Sequence, residues 1–245
     1  MILVPKIANT FFARVISGAQ QAAQAAGYRL LLCDTQGRED IECEFAELVY
    51  AHQADGVIQL RAYDPFPADS AELPPMVNAC EVIQGGRHPS ISLDNQAAAK
   101  AMTEHLIGLG HRRIGLIKGP QTSPLTQDRV AGYLAALDQA GIPCDPAIIC
   151  HGDFSLRAGY DGAATLLTVP DRPTALFCES DEMAIGALKR IKEAGLRVPN
   201  DISLVGFDDI PLAQYCDPPL TTIAQPSETF GRLAVNMLID VIEKK

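Results

Sequence analysis

The stretch from Met183 to Val205 reads MAIGALKRIKEAGLRVPNDISLV, and the way it divides decides the fold. Its apolar residues recur at helical spacing and predict a helix over Met183–Ala194. Gly195 then supplies the left-handed residue that closes a helix, and Ile202–Val205 reads as the strand that follows. The same punctuation recurs upstream. A helix over Arg129–Ala140 meets Gly141, and a helix over Ala97–Leu109 meets Gly110 ahead of the strand Ile114–Ile117. At the start of the chain, the apolar segment Ile2–Ile7 leads into Phe12, Val15, Ile16, Ala19, Ala22, Ala23 and Ala26. Gly27 separates that helix from the strand Tyr28–Cys33. Four such stops predict an α/β chain, with parallel sheet covered by helices on both faces.

About ten strand candidates are too many for one small sheet, so two sheets of roughly four to six strands each are expected. No low-complexity linker separates them. Short crossovers are expected near Asp94-Asn95 and Ala224-Gln225-Pro226, with a third beyond Lys245, and Arg61–Pro75 reads as a long surface loop. The chain carries 20 Lys and Arg against 30 Asp and Glu, a formal charge of −10, with no dense basic run. A surface that neutralises phosphates needs the opposite balance, so the chain by itself is not expected to bind nucleic acid. No apolar run approaches the ~18 residues of a membrane span, and no signal-peptide pattern opens the chain. Seven scattered cysteines without a C-x-x-C pair read as small buried residues in a reducing, cytoplasmic compartment.

Ligands of open α/β sheets sit beyond the carboxyl ends of the strands. Asn9-Thr10-Phe11-Phe12 is expected there, as are Asp94-Asn95, the stretch holding Ser123, Thr126 and Arg129, and Asp153-Phe154. Glu179-Ser180-Asp181 and Asp208-Asp209 complete the set. Carboxylates accept hydroxyl hydrogen bonds, Arg is a forked donor, and aromatic faces stack on a sugar ring or a base. That chemistry suits a hydroxylated, largely uncharged ligand. Asp94, Asp181 and Asp208 also stand at candidate helix starts, and Asp is a favoured N-cap. Nucleotide-binding, serine-hydrolase and zinc-protease motifs are absent, and the five histidines lack metal spacing. No catalytic residue, metal or cofactor is expected. His105 and His111 flank a helix end, where imidazole meets free carbonyls.

Nearly the whole chain resembles the effector-binding core of LacI/GalR-type repressors. The carriers are Asn9-Thr10-Phe11-Phe12, Asp55-Gly56-Val57-Ile58, Leu109-Gly110-His111-Arg112-Arg113-Ile114-Gly115 and Ser180-Asp181-Glu182-Met183-Ala184. Val205-Gly206-Phe207-Asp208-Asp209 and Pro219-Leu220-Thr221-Thr222-Ile223 follow in the same order. Within the family, Gly152-Asp153-Phe154, Phe177-Cys178 and Cys216-Asp217-Pro218-Pro219 resemble nucleoside-responsive, cytidine-type members, with purine-type members next.

The resemblance implies a periplasmic-binding-protein-like type I fold, with two doubly wound parallel-sheet lobes and a ligand cleft between them. The N-terminal lobe would be residues 1–94 plus 226–245, and the C-terminal lobe 95–225. A small hydroxylated effector, a nucleoside in the first place, would meet Phe11, Phe12, Asp94, Ser123, Leu125, Arg129, Phe154, Ser180, Asp208 and Gln225. Arg129 with Asp208 would form the polar core, while Phe12 and Phe154 stack on rings. Thr10 stands where many members have proline. Leu125 stands where purine-type members have a hydroxyl, which weighs against a purine. The family also implies a cytoplasmic homodimer, with Ile185 and Cys216 near the two-fold axis, that meets operator DNA only through a headpiece absent from this sequence. No membrane partner is implied. A transporter's substrate-binding protein shares the fold and is the alternative, although seven cysteines count against it. An enzyme of sugar or nucleoside metabolism is the third reading.

Overall fold

The computed structural model describes residues 1–67, 73–83 and 85–243. The chain divides into two compact units, Met1–Leu93 with Pro226–Lys245, and Asp94–Gln225.

In the first unit, β1 (Ile2–Val4), β2 (Leu32–Asp34), β3 (Val57–Gln59), β4 (Met76–Ala79) and β5 (Ser90–Ile91) form a parallel sheet. Its order is β2-β1-β3-β4-β5. The helices of this unit are α1 (Thr10–Ala25), α2 (Glu39–Tyr50) and α7 (Ser227–Ile242). β1 is buried on both sides. Ile2 and Val4 join Val15, Ala19, Phe230 and Ala234 in one cluster, while Leu3 joins Cys33, Ala46 and Met76 in another. The two-residue alternation of a strand produces that division. β1 ends at Val4, short of the expected Ile7, because Pro5 has no N–H for the ladder.

The second unit contains α3 (Asn95–Gly108), β6 (Ile114–Lys118), α4 (Pro124–Gln139), β7 (Ile149–His151) and α5 (Leu156–Leu166). It continues with β8 (Ala175–Cys178), α6 (Asp181–Glu193), β9 (Ser203–Asp208) and β10 (Thr221–Ala224). The sheet is again parallel, in the order β10-β9-β8-β6-β7. Counted within its own unit, each sheet therefore runs second-first-third-fourth-fifth. The order reverses between β1 and β3 in one sheet and between β6 and β8 in the other. Doubly wound sheets open a ligand crevice at that reversal, beyond the carboxyl ends of the strands.

The helix stops fall at the glycines. Gly27 (φ +81°) and Gly195 (φ +76°) take the left-handed conformation. Beyond them Tyr28 N–H donates to the Ala23 carbonyl (2.8 Å) and Leu196 N–H to the Ile191 carbonyl (3.2 Å), closing the last turn. Helices pack in pairs, α1 on α7, α3 on α4 and α5 on α6. Glycine permits the closest crossing. A Cβ on Gly186 would lie 1.9 Å from the Leu156 carbonyl oxygen, and one on Gly159 1.9 Å from that of Met183.

Several local expectations change. α4 begins at Pro124, not near Arg129, because Ser123 turns the chain in extended geometry and proline suits the first helical position. α2 and α5 occupy stretches for which the periodic reading specifies no helix. β2 is only three residues long. Part of Arg61–Pro75 lies outside the described residues, and Phe66 within it is buried in the core. His111 does not cap α3 through free carbonyls; its ring nitrogens lie 2.8 Å from Thr174 Oγ1 and 2.9 Å from Ser203 Oγ, linking the starts of β8 and β9. The cysteines are free thiols; Cys33, Cys80 and Cys178 are buried, whereas Cys144 is exposed.

Candidate functional site

Arg129 stands on the second turn of α4 and is only 2% exposed. A guanidinium that far from water needs its donors used. Its Nε donates to Asn95 Oδ1 (2.9 Å) at the start of α3, and Nη1 donates to the Glu179 carbonyl (2.5 Å) after β8. Its carbon lies 3.7 Å from the centre of the Phe207 ring and 6.0 Å from that of Phe154. Three elements, α3, α4 and β9, and the loops after β8 and before α5 thus converge on one cation.

Two carboxylates, those of Glu179 and Asp208, act on it, and a third, that of Asp181, lies beside Asp208. Glu179 is fully buried, and its Oε2 accepts from Gly119 N–H (2.9 Å) just past β6. Burial pushes its pKa up to about 7, against the pull of that N–H and of Arg129. Asp208 ends β9 with φ +123°, a conformation uncommon for any residue but glycine, and Oδ1 accepts from Gln225 Nε2 (2.6 Å). Burial pushes it also to about 7, with Arg129 pulling back. Asp181 is pushed to about 6 by burial, partly offset by its bonds from Thr222 Oγ1 (2.6 Å) and Ile210 N–H (2.9 Å). Those two bonds make Asp181 a latch between α6, the turn after β9, and β10.

The expected residues divide accordingly. Arg129, Asp208, Gln225 and Phe154 come together in the second unit, and Phe154 also has a positive φ of 64°. Asp94 and Ser180 act as N-caps, accepting from Ala97 N–H (2.9 Å) and Met183 N–H (3.2 Å). Ser123 is the N-cap residue of α4 without a side-chain capping bond, and Leu125 is half-buried on its first turn. Phe11 and Phe12 belong to the first unit, where the Asn9 side chain caps α1 through both their N–H groups. Phe11 lies in the core and Phe12 packs against it, ring centres 5.4 Å apart and edge-on. The sequence reading did not select Asn95, Glu179 and Phe207 as contacts. Asn95 and Glu179 stood among its strand-end residues, but nothing local shows that Arg129 reaches them.

One guanidinium beside two buried carboxylates and two rings suits a flat or cyclic ligand rich in hydrogen-bond donors, and disfavours an anion. Among the described residues, no cluster of His, Cys, Asp and Glu could hold a metal ion, and no helix is long and apolar enough to cross a membrane.

Residues 103–245 match the family described as periplasmic binding protein-like domain. The chain is 43% identical over 246 residues to the HTH-type transcriptional repressor CytR of Escherichia coli strain K12, across 99% of this chain and 72% of the relative. It is 36% identical to the ribose operon repressor of Haemophilus influenzae, across 99% of this chain and 74% of that protein. The solved structure of a LacI family transcriptional regulator from Enterococcus faecium with bound ribose superposes with a TM-score of 0.88 at 30% identity. That match covers 99% of this chain and 89% of the other. These relatives are repressors and regulators, neither enzymes nor transport proteins. With two parallel doubly wound sheets of one order and a match along almost its whole length, the chain has the type I periplasmic-binding-protein-like fold and belongs to the LacI family of transcriptional repressors, as its effector-sensing domain.

Proposed function

We propose that this domain senses a nucleoside, a pyrimidine nucleoside by preference, and that Arg129, Asp208 and Gln225 form the polar core of its contact set. Phe12 and Phe154 supply ring faces, and the remaining contacts are Phe11, Asp94, Ser123, Leu125 and Ser180. The observation that carries this reading is the buried cluster of Arg129, Asp208 and Gln225, at the carboxyl ends of the strands and beside the Phe154 ring. Ionised carboxylates pair with ribose hydroxyls, while a phosphate would meet a single guanidinium among acidic groups. The likeness to a regulator solved with bound ribose supports the same hydroxyl-rich ligand chemistry. The protein acts as a cytoplasmic homodimer, with Ile185 and Cys216 near its two-fold axis. Operator DNA is gripped by a headpiece outside this stretch of sequence, and the effector alters that grip by a coupling of about 1–3 kcal/mol.

A thermal-shift panel tests the assignment. A pyrimidine nucleoside is expected to raise the melting temperature, and Asp208→Ala to abolish the rise while the ligand-free chain melts nearly as before. The lost bonds are charge-assisted, about 1.5–3 kcal/mol each. A shift with a hexose or a phosphosugar, and none with nucleosides, refutes the nucleoside. Early melting of Asp208→Ala without ligand makes Asp208 a structural residue instead.

A further inference from the structure

Asp208 is followed by Asp209, and both have positive φ, +123° and +55°. Two successive residues other than glycine do not hold that conformation unaided, so their surroundings must fix it. Asp181, fully buried at the first position of α6, supplies the fixing groups. Its Oδ2 accepts from the Ile210 N–H (2.9 Å) and its Oδ1 from the Thr222 hydroxyl (2.6 Å). Thr222 Oγ1 in turn accepts from the Asp209 N–H (3.4 Å), which also reaches the Asp181 carboxylate directly. The two N–H groups that follow Asp208 therefore both end on Asp181. β9 makes room for this carboxylate, since a Cβ on Gly206 would fall 2.2 Å from Asp181 Oδ1.

The clasp runs in both directions. The first N–H groups of a helix have no partner within it, and that of Asp181 donates to the Asp208 carboxylate. Asp208 is thus held twice by one residue, its backbone through the Asp181 side chain and its side chain through the Asp181 backbone. The Gln225 amide on Asp208 Oδ1 (2.6 Å) completes the hold and fixes where the carboxylate points. Both oxygens of Asp181 are engaged by the protein itself.

We propose that Asp181 is a positioning residue of the effector site, holding the turn at Asp208-Asp209 so that the Asp208 carboxylate is in place before the effector arrives. This rests on the reading that Asp208 is an effector contact. A contact fixed beforehand spares binding the cost of ordering it. The test is calorimetric titration of cytidine at about pH 8, where Asp181 and Asp208 are both ionised, with each variant first shown by circular dichroism to be folded. Thr222→Val removes only the hydroxyl and is expected to weaken cytidine about tenfold. Thr222→Ser keeps the hydroxyl and stays within about twofold of the parent. D181N, which turns an acceptor against the Ile210 N–H into a donor, costs about tenfold or more. If D181N does not fold, the Thr222 pair carries the test. A double-mutant cycle separates positioning from general support. Added to Asp208→Asn, Thr222→Val costs less than about twofold more, because the group it places is already altered. Added to Phe154→Leu, it costs its full factor. Cytidine affinity within about twofold of the parent in both Thr222→Val and D181N, or equal losses in the two backgrounds, overturns the inference and leaves the nucleoside reading standing. Failure of cytidine to bind the unaltered chain overturns the two together.

Discussion

Glu179 and Asp208 keep their protons until about pH 7, and Asp181 until about pH 6, because burial penalises their charged forms. In the unfolded chain the same groups ionise near about 4. Between those limits the folded chain binds more protons, so these groups stabilise it fully in acid, and the contribution is lost as pH rises through 6 and 7. His88 and His111 act the other way. Burial lowers both, so they favour the fold above 6.5 and withdraw support as pH falls. The buried Met1 ammonium, lowered in the same way, acts with them, and the three carboxylates, two of them shifted to about 7 from about 4, outweigh these three groups. The ligand-free chain should therefore show a falling Tm in scanning calorimetry between about pH 5.5 and about pH 8, and Asp208→Asn should flatten the fall. A Tm that rises across that interval contradicts the charge states assigned here. At this scale the sequence was partly legible. Residue type and strand-end position drew attention to Glu179 and Asp208, but a carboxylate carries no local mark of its own burial. Asp94 and Ser180 behave as helix caps, the alternative their residue types always allowed for Asp94.

Helix ends were the most legible elements, because Gly27, Gly110, Gly141 and Gly195 each combine the end of an apolar period with a positive φ. α2 and α5 were not legible. The first is dominated by acidic residues, and the second carries Gly159 and Gly162, which read as breakers. Packing explains why those glycines stand in a helix. α5 and α6 approach until Gly159 meets the Met183 carbonyl and Gly186 the Leu156 carbonyl, leaving no room for a methyl group. Gly186→Ala gains about 1 kcal/mol of helix propensity but forces two backbones apart, and overpacking of that kind typically costs about 1–3 kcal/mol. A net loss of about 1 kcal/mol or more, with an unchanged m-value in urea, is the expected outcome. A variant as stable as the parent, or more so, contradicts the crossing geometry.

Across the whole molecule, the periodic reading gave parallel α/β structure with about ten strands, and ten are present among the described residues. Their common order in both sheets was not readable, since strand neighbours are set by crossovers and not by local pattern. The same limit applies to the site. Asn95, Arg129, Glu179 and Phe207 come from four separate stretches, and only the folded sheet brings them to one guanidinium. What results is an acidic, ring-lined cluster in a chain of formal charge −10, for which we propose a neutral donor-rich effector rather than an anionic one. That is the central claim, and a paired calorimetric titration tests it most directly. Cytidine is titrated into one sample of the chain and ribose 5-phosphate into another. Saturable binding of one cytidine per chain, with no heat of binding from the phosphosugar, is the predicted result; saturation by ribose 5-phosphate with cytidine inert would contradict it.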